Sequence, residues 1–419
     1  MSLSCRSSHR AGPSLRLLRP QCRRNYADTR PFAVGDHVIL RPAWQRDGPG
    51  VLRGPLTPGK RIETHKGIIQ HDDIIGKRVR DRVPTQLPKL GKEGPDFRLL
   101  ECSLDEYVRL SRRMVTPIYP ADANLIVSLL DLHPDVYDAE DVGREKLEIL
   151  EAGTGHGGLT LHLSRAIHAA NPPRPRISED EEPEKKAADI EAWKARRQAV
   201  IHTIDVAPQY SEHAEKTIAV FRRGQYRNNI DFHVGSVSDW VTSTLPERNN
   251  EPFLSHAFLD LPNADTHVAT VAEALKIDGT LIVFNPSITQ ITECILKIKQ
   301  EGIPLDVDSV IELGVNGGSG GREWDVRPVY PRVPKSQQAT PEPAAEAESA
   351  AEDEKAAETE TAEPQAEQES RDEEQKQAQI PPASEPAKEG KMAMVCRPKV
   401  GDRIFGGGFL AVFKKQRLQ

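Results

Sequence analysis

The stretch Leu147-Glu148-Ile149-Leu150-Glu151-Ala152-Gly153-Thr154-Gly155-His156-Gly157-Gly158-Leu159-Thr160 decides how the rest of the chain is read. Leu147 to Ala152 is a short apolar run of strand character that ends in glycines. From Leu159 to Ala169 apolar residues recur at helical spacing. A strand that enters Gly-x-Gly-x-Gly and leaves as a helix lets the backbone approach a ligand closely. It also points the first N–H groups of the helix at negative or polar atoms. The glycine rhythm is 153/155/157, with Gly158 next, rather than the G-x-G-x-x-G of dinucleotide-binding turns. Glycines that merely form a tight turn are the plainer alternative.

Around this turn, strand-like and helix-like segments alternate. Ala199–Asp205, Ile230–Val234, His256–Asp260 and Thr280–Phe284 have strand character, and helices are expected at 209–223, 264–276 and 287–301. Such alternation predicts a mostly parallel sheet with helices on both faces. Ligands gather at the carboxyl ends of strands in these sheets, so the acids there carry weight. Glu151 stands two residues before the first glycine, and Asp205 closes the second strand, where a carboxylate can accept both ribose hydroxyls. Nicotinamide-, flavin- and S-adenosylmethionine-binding folds use similar turns, and the acids are what distinguishes among them. Asp260 in Phe258-Leu259-Asp260-Leu261-Pro262-Asn263 ends a central strand; capping the next helix is its plainer role.

The flanks are compositionally uneven. The 419 residues have a net charge of −7, which at face value suits nucleic acid poorly. That figure is an average over unlike parts. Residues 336–390 hold 16 acidic and 4 basic side chains and residues 1–26 hold six arginines and no acid, which leaves −1 for the remainder. Residues 28–100 carry 14 basic against 9 acidic residues, so an RNA partner is not excluded. An Arg-rich, Ser-rich, acid-poor leader is the composition of an organelle transit peptide. Arg24-Asn25-Tyr26-Ala27 also looks like a mitochondrial processing site. The expectation is a transit peptide over 1–26 and a mitochondrial matrix location, with an RNA-binding basic tail as the alternative.

Segment 336–390 is rich in Glu, Ala, Gln, Pro and Ser, with Ile380 as its one large apolar side chain, and is expected to be a disordered insertion. Strand chemistry resumes in Met392–Pro398 and Gly408–Phe413, so 391–419 is expected to close the sheet. A long loop is tolerable because closure entropy grows slowly with length. A shorter, charged and partly helical insertion is expected at 172–197. Residues 27–100, with Gly, Pro and short β-branched runs, predict a small all-β module. Helices at 103–114 and 121–131 would lead from it into a domain spanning 101–335. No run approaches the roughly 18 apolar residues that cross a bilayer. Cys5, Cys22, Cys102, Cys294 and Cys396 are scattered without a CxxC pair, so neither a disulfide framework nor a metal site is signalled.

Gly67-Ile68-Ile69-Gln70-His71-Asp72-Asp73-Ile74-Ile75-Gly76-Lys77, then Arg113 with Tyr119-Pro120-Ala121-Asp122, then Glu151 to Thr160, then Asp260-Leu261-Pro262 follow one another in a specific order. That order resembles the catalytic subunits of the tRNA (adenine-58-N1)-methyltransferase family. Arg397-Pro398 and Gly408-Phe409-Leu410 look like the family's closing strands, and the resemblance covers about 31–330 and 392–415.

The resemblance implies an α/β class I S-adenosylmethionine-dependent methyltransferase fold, a mostly parallel seven-stranded sheet with helices on both faces, and a small N-terminal β-barrel that helps to hold tRNA. It also implies S-adenosylmethionine as cofactor, methyl transfer to N1 of adenine 58, and a tetramer of one chain or of catalytic and non-catalytic chains. By motif position, Gly155, His156, Gly157, Gly158 and Leu159 would line the methionine part of the cofactor, with Gly153 in the same turn. Asp205 would meet the ribose and Ser236 the cofactor's adenine. Asp260 would border the cofactor and act as the catalytic residue on the target adenine, where a carboxylate at the exocyclic amine raises electron density on N1.

The sequence departs from the family pattern at His156, Tyr210, Ser236 and Asn263. Those departures motivate the alternative of a non-catalytic RNA-binding or scaffold subunit. A further alternative keeps the chemistry on mitochondrial ribosomal or messenger RNA. Lys60, Arg61, Lys66, Lys77, Arg78, Arg80 and Arg82 are the expected phosphate contacts of the barrel segment.

Overall fold

The computed structural model describes residues 30–45, 50–87, 91–140, 143, 145–175, 182–314 and 407–417, together with the backbone of 324–329 and 393–398. The expected transit peptide and the acidic insertion lie outside the described residues. The chain divides into one unit of residues 1–320 with 404–419 and another of 321–403.

The first unit opens with six strands: β1 (Val38–Pro42), β2 (Val51–Arg53), β3 (Arg61–Thr64), β4 (Gly67–Gln70), β5 (Arg82–Leu87) and β6 (Lys92–Leu100). They pair in the order β2-β1-β6-β5-β4-β3, antiparallel throughout. One helical turn, α1 (His71–Ile74), follows β4. Alternate residues (Val38, Leu40, Ile62, Ile69, Val83, Phe97 and Leu99) fill a core of their own, so the sheet curls around it into a barrel-like module. Asp36 ties this module to the larger domain. Its buried carboxylate accepts from Arg30 at 2.6 Å and from Arg223 at 2.9 Å, and the two guanidinium partners with the Ala33 amide hold it well down, at about 2.

Helices α2 (Leu104–Leu110) and α3 (Pro120–Leu129) follow. The first begins in a capping box, with the Ser103 hydroxyl accepting from the Glu106 amide and the Glu106 carboxylate accepting from the Ser103 amide. It ends four residues short of expectation, where Ser111 adopts extended backbone.

The sheet of the larger domain comprises β7 (Leu147–Ala152), β8 (Ala199–Asp205), β9 (Ile230–Val234), β10 (Leu254–Leu259), β11 (Leu275–Asn285), β12 (Leu305–Leu313) and, after an excursion described below, Gly408–Lys415. Between the strands lie α4 (Gly158–Ile167), α5 (Pro183–Ala195), α6 (Pro208–Val220), α7 (Val237–Glu247), α8 (Asp265–Ala274) and α9 (Ile288–Glu301). The excursion carries β13 (Trp324–Val329) and β14 (Ala393–Pro398), so Gly408–Lys415 is β15. The strand order is β12-β15-β11-β10-β7-β8-β9, with β11, β10, β7, β8 and β9 parallel and β15 antiparallel to both its neighbours. Ile149, Phe258 and Ile282 face the helices α2, α3, α4 and α6; Leu150, Leu259 and Val283 face α7, α8 and α9. Helices therefore cover both faces, and β7 and β8 at the centre are buried along almost their whole length.

Two expectations need correction. Residues 391–419 do not all close this sheet: β14 pairs with β13 in a two-stranded ribbon, and only β15 joins the seven strands. Both edges of β15 are already taken by β11 and β12, which leaves no ladder for β14 there. Second, the helix expected over 264–276 stops at Ala274, because Leu275 pairs with Leu254 and starts β11. Asp278, at φ 64°, and Gly279 then absorb a bulge in that strand. The shorter insertion carries α5 and folds back on itself: buried Trp193 on α5 donates from Nε1 to the carbonyls of Pro172 and Pro173, both at 3.0 Å.

Candidate active site

The carboxyl ends of β7, β8 and β10 open into a cavity of about 290 Å³, near the lower edge of the roughly 300–1,000 Å³ usual for small-molecule sites. Its walls are the turn Gly153–His156 with Gly158 and Leu159, the loop Val115–Ile118 after α2, Asp205, Val206 and Tyr210 on one side and Asp260 to Pro262 on the other. Glu151 forms part of the floor.

Two glycines of the turn are dictated by geometry. Gly153 has φ +95°, and a Cβ there would stand 2.3 Å from the backbone oxygen of Asp260. The Asp260 amide donates to the Ala152 carbonyl at 2.9 Å, so the ends of β7 and β10 are pinned together. Gly155 has φ +56°, and a Cβ there would face Val115 across the cavity at 3.5 Å. Only glycine adopts such backbone freely.

Asp205 grips the turn from β8. Its Oδ2 accepts from the Gly155 amide at 3.3 Å and its Oδ1 from the Ala207 amide at 3.1 Å, which fixes the carboxylate at the cavity wall. His156 is buried, and its Nε2–H donates to the Val108 carbonyl on α2 at 3.2 Å. Burial lowers its pKa, keeping the ring neutral.

Two carboxyl groups share one side of the sheet. Glu151 lies opposite Phe258 on the neighbouring parallel strand, and Asp260 follows two residues later. The buried Glu151 carboxyl accepts from Thr160 Oγ1 at 2.7 Å and is also bonded by the Thr203 hydroxyl. Burial nonetheless pushes it up to about 7, with repulsion from Asp260 adding to the rise. The Asp260 carboxyl is raised to about 7 by burial alone. Each is thus poised between its neutral and charged forms near neutral pH, the signature of functional acids.

For folding, a carboxyl raised in the native state binds more protons than in the unfolded chain. Its stabilising effect is complete below its unfolded pKa near 4 and is lost as pH rises through about 7. Glu151→Gln, which keeps the acceptor for Thr160, is therefore expected to raise the melting temperature at pH 8 and leave it nearly unchanged at pH 5. The difference corresponds to at most about 3 kcal/mol. A variant less stable than the parent at pH 8 would refute this.

The site meets most of the residues named from sequence. Gly153, Gly155, His156, Gly158, Leu159, Asp205 and Asp260 line the cavity together. Gly157 and Ser236 are placed elsewhere. A Cβ on Gly157 would meet Ile218 at 3.0 Å and Ala214 at 3.3 Å on α6, so its role is close packing of the turn against that helix. Ser236 precedes α7 and stands outside the cavity walls, while Gly235 before it donates to the Asp205 carbonyl at 2.9 Å. Val115–Ile118 was missed, since no periodic pattern marks the loop; Pro117 was its sole local signal.

A family model described as TrmI-like N-terminal matches residues 31–78, the barrel-like module up to the turn after α1. The tRNA (adenine(58)-N(1))-methyltransferase TrmI of Thermus thermophilus is 30% identical over 263 residues, covering 63% of this chain and 78% of that protein. The chain belongs to the tRNA (adenine-58-N1)-methyltransferase family. A more distant member of the family, the tRNA (adenine(57)-N(1)/adenine(58)-N(1))-methyltransferase TrmI of Methanocaldococcus jannaschii, is 22% identical over 259 residues, 58% of this chain and 78% of that protein. The fold is that of a SAM-dependent O-methyltransferase of Thermotoga maritima, at a TM-score of 0.50 and 16% identity, covering 93% of this chain and 96% of that one. The class I methyltransferase fold expected from the family is thus the observed one. Among the described residues no cluster of three His, Cys, Asp or Glu is arranged to hold a metal ion, and no helix is long and apolar enough to cross a membrane.

Proposed function

We propose that the protein transfers the methyl group of S-adenosylmethionine to N1 of adenine 58 in tRNA, within mitochondria. The observation that carries the reading is the pairing, in one cavity of a family member, of a glycine turn gripped by Asp205 with an acid at the end of β10.

The residues fit S-adenosylmethionine. Gly155 leaves open the space that a Cβ would take, Asp205 presents a carboxylate to ribose hydroxyls, and neutral His156 places no positive charge beside a cationic sulfur. When bound, S-adenosylmethionine supplies an electrophilic methyl group, so transfer is a direct displacement. Gly153, Gly155, Gly158 and Leu159 hold the methionine portion, Asp205 orients the ribose, and the loop Val115–Ile118 closes the opposite wall. Asp260 accepts a hydrogen bond from the N6 amine of the target adenine and raises electron density at N1. Once N1 carries the methyl group, the positive ring releases an N6 proton, and Asp260 in its charged form takes it. Adenine 58 lies inside folded tRNA, so the base must be extruded to reach this cavity.

Methylation in single turnover is expected to rise with pH to a plateau above about 8, following the charged form of Asp260. A flat profile from pH 6 to 8 would contradict that role. A purely scaffolding subunit has no use for a buried acid poised at neutral pH. Calorimetric titration with S-adenosylmethionine decides between them, since absence of binding at millimolar concentration favours the scaffold.

The mitochondrial location rests on the acid-free, arginine-rich composition of residues 1–26. A mature protein that still begins at Met1 in purified organelles would refute import. Working as a tetramer, of this chain alone or with a related non-catalytic chain, belongs to the same proposal. Mapping 1-methyladenosine in organelle RNA from a deletion strain tests activity, compartment and substrate at once. Loss from ribosomal or messenger RNA alone would move the substrate.

A further inference from the structure

The barrel-like module carries a row of like charges that the cavity does not use. Arg41 on β1 lies directly opposite Arg98 on β6, and Arg98 lies directly opposite Arg82 on β5. Adjacent strands are about 4.8 Å apart, so three arginines stand side by side across three strands. They share the face away from the module's core, because Leu40, Leu99, Phe97 and Val83, next to them in sequence, point inward.

Like charges at directly opposed positions destabilise a sheet. A counter-charge reaches only one end of this row. Arg41 Nη2 donates to Glu106 Oε1 at 3.0 Å, whereas neither Arg98 nor Arg82 has a side-chain partner among the described residues. Asp96, two positions along β6 on the same face, lies opposite Pro84 and pairs with none of the three. Arg82 is exposed and Arg98 half-exposed. The inner end of the row meets α2 at Glu106, and the chain runs on through Arg109, Arg112 and Arg113 to Val115 at the cavity wall.

We propose that Arg82, Arg98 and Arg41 seat the sugar–phosphate backbone of the RNA substrate and lead it along α2 toward the cavity. This rests on the reading of the protein as a tRNA methyltransferase. Evenly spaced phosphates are the chemistry that such a row satisfies, and planar guanidinium groups take their oxygens in pairs. The repulsion stored in the free protein is released when a polyanion lies across it.

The test is titration of unmodified tRNA transcript with parent protein and with an Arg82→Gln, Arg98→Gln double variant, over a range of salt. Melting temperature and S-adenosylmethionine affinity are measured alongside. The double variant is expected to bind tRNA about tenfold or more weakly at low salt. Its plot of log affinity against log salt should flatten by about 1.5–2. Its melting temperature should not fall, and its cofactor affinity should be unchanged. Arg98→Lys, which keeps charge without the fork, should retain the salt slope of the parent. Unaltered tRNA affinity and slope, with the parent still methylating tRNA, would overturn the row while sparing the proposed function. A lower melting temperature with weakened cofactor binding would show a structural role and also overturn it. A parent protein that binds no tRNA would overturn both.

Discussion

Asp260→Asn is expected to lose methylation of tRNA by about 10²–10⁴-fold in single turnover, the usual contribution of a positioned proton acceptor. Affinity for S-adenosylmethionine should stay within a few-fold of the parent. The amide keeps the shape of the carboxyl but cannot take the N6 proton, so chemistry suffers while the cavity persists. Stability is expected to hold or improve at pH 8. The parent bears a carboxyl raised to about 7 by burial, and its charging becomes unfavourable as pH rises. Asp260→Ala should match the loss of activity. Turnover within threefold of the parent in either variant would remove Asp260 from the mechanism.

Gly153→Ala and Gly155→Ala should fail in different ways, although the two glycines are one residue apart. At Gly153 the added carbon collides with the backbone oxygen of Asp260 at 2.3 Å, on a backbone of φ +95°. Nothing flexible can yield there. A loss of about 3 kcal/mol or more in denaturant unfolding is expected, from strained backbone and overpacking together. At Gly155 the nearest atom is the Val115 side chain at 3.5 Å. Folding should lose only about 1 kcal/mol there, the ordinary cost of alanine at positive φ. Cofactor affinity should instead drop sharply, since the methyl group occupies the cavity. Equal stabilities for the two variants would refute the assigned geometry.

How legible this was from sequence depended on whether a residue's role was local. The strand–turn–helix at Leu147–Ile167 was readable because periodicity and glycine spacing act over a few residues. Asp205 and Asp260 were readable because strand ends in an α/β sheet are predictable places for ligands. The packing constraint on Gly157 was not readable, because it comes from an α6 side chain some sixty residues away. Ser236 was named by motif position; it is not among the cavity walls, although the Gly235 amide before it donates to the carbonyl of Asp205, which is. Glu151 was noticed for its position, but its shift to neutral pH comes from burial and the nearness of Asp260, acting against the hydrogen bonds from Thr160 and Thr203, none of it visible in sequence. The arginine row was equally hidden. Residues 41, 82 and 98 are brought together only by strand pairing.

The position of β15 has a consequence for how the molecule is assembled. It is the last strand in the chain, yet it fills an interior slot between β11 and β12. Until residues 408–415 arrive, β11 presents a bare edge and β12 has no neighbour at all, a state that invites wrong pairing. The large sheet therefore cannot be completed from one end to the other during synthesis; it must wait for its keystone. A chain cut after Gly314 would not be a trimmed enzyme but one with a strand missing from the middle, and β12 would be set adrift with it.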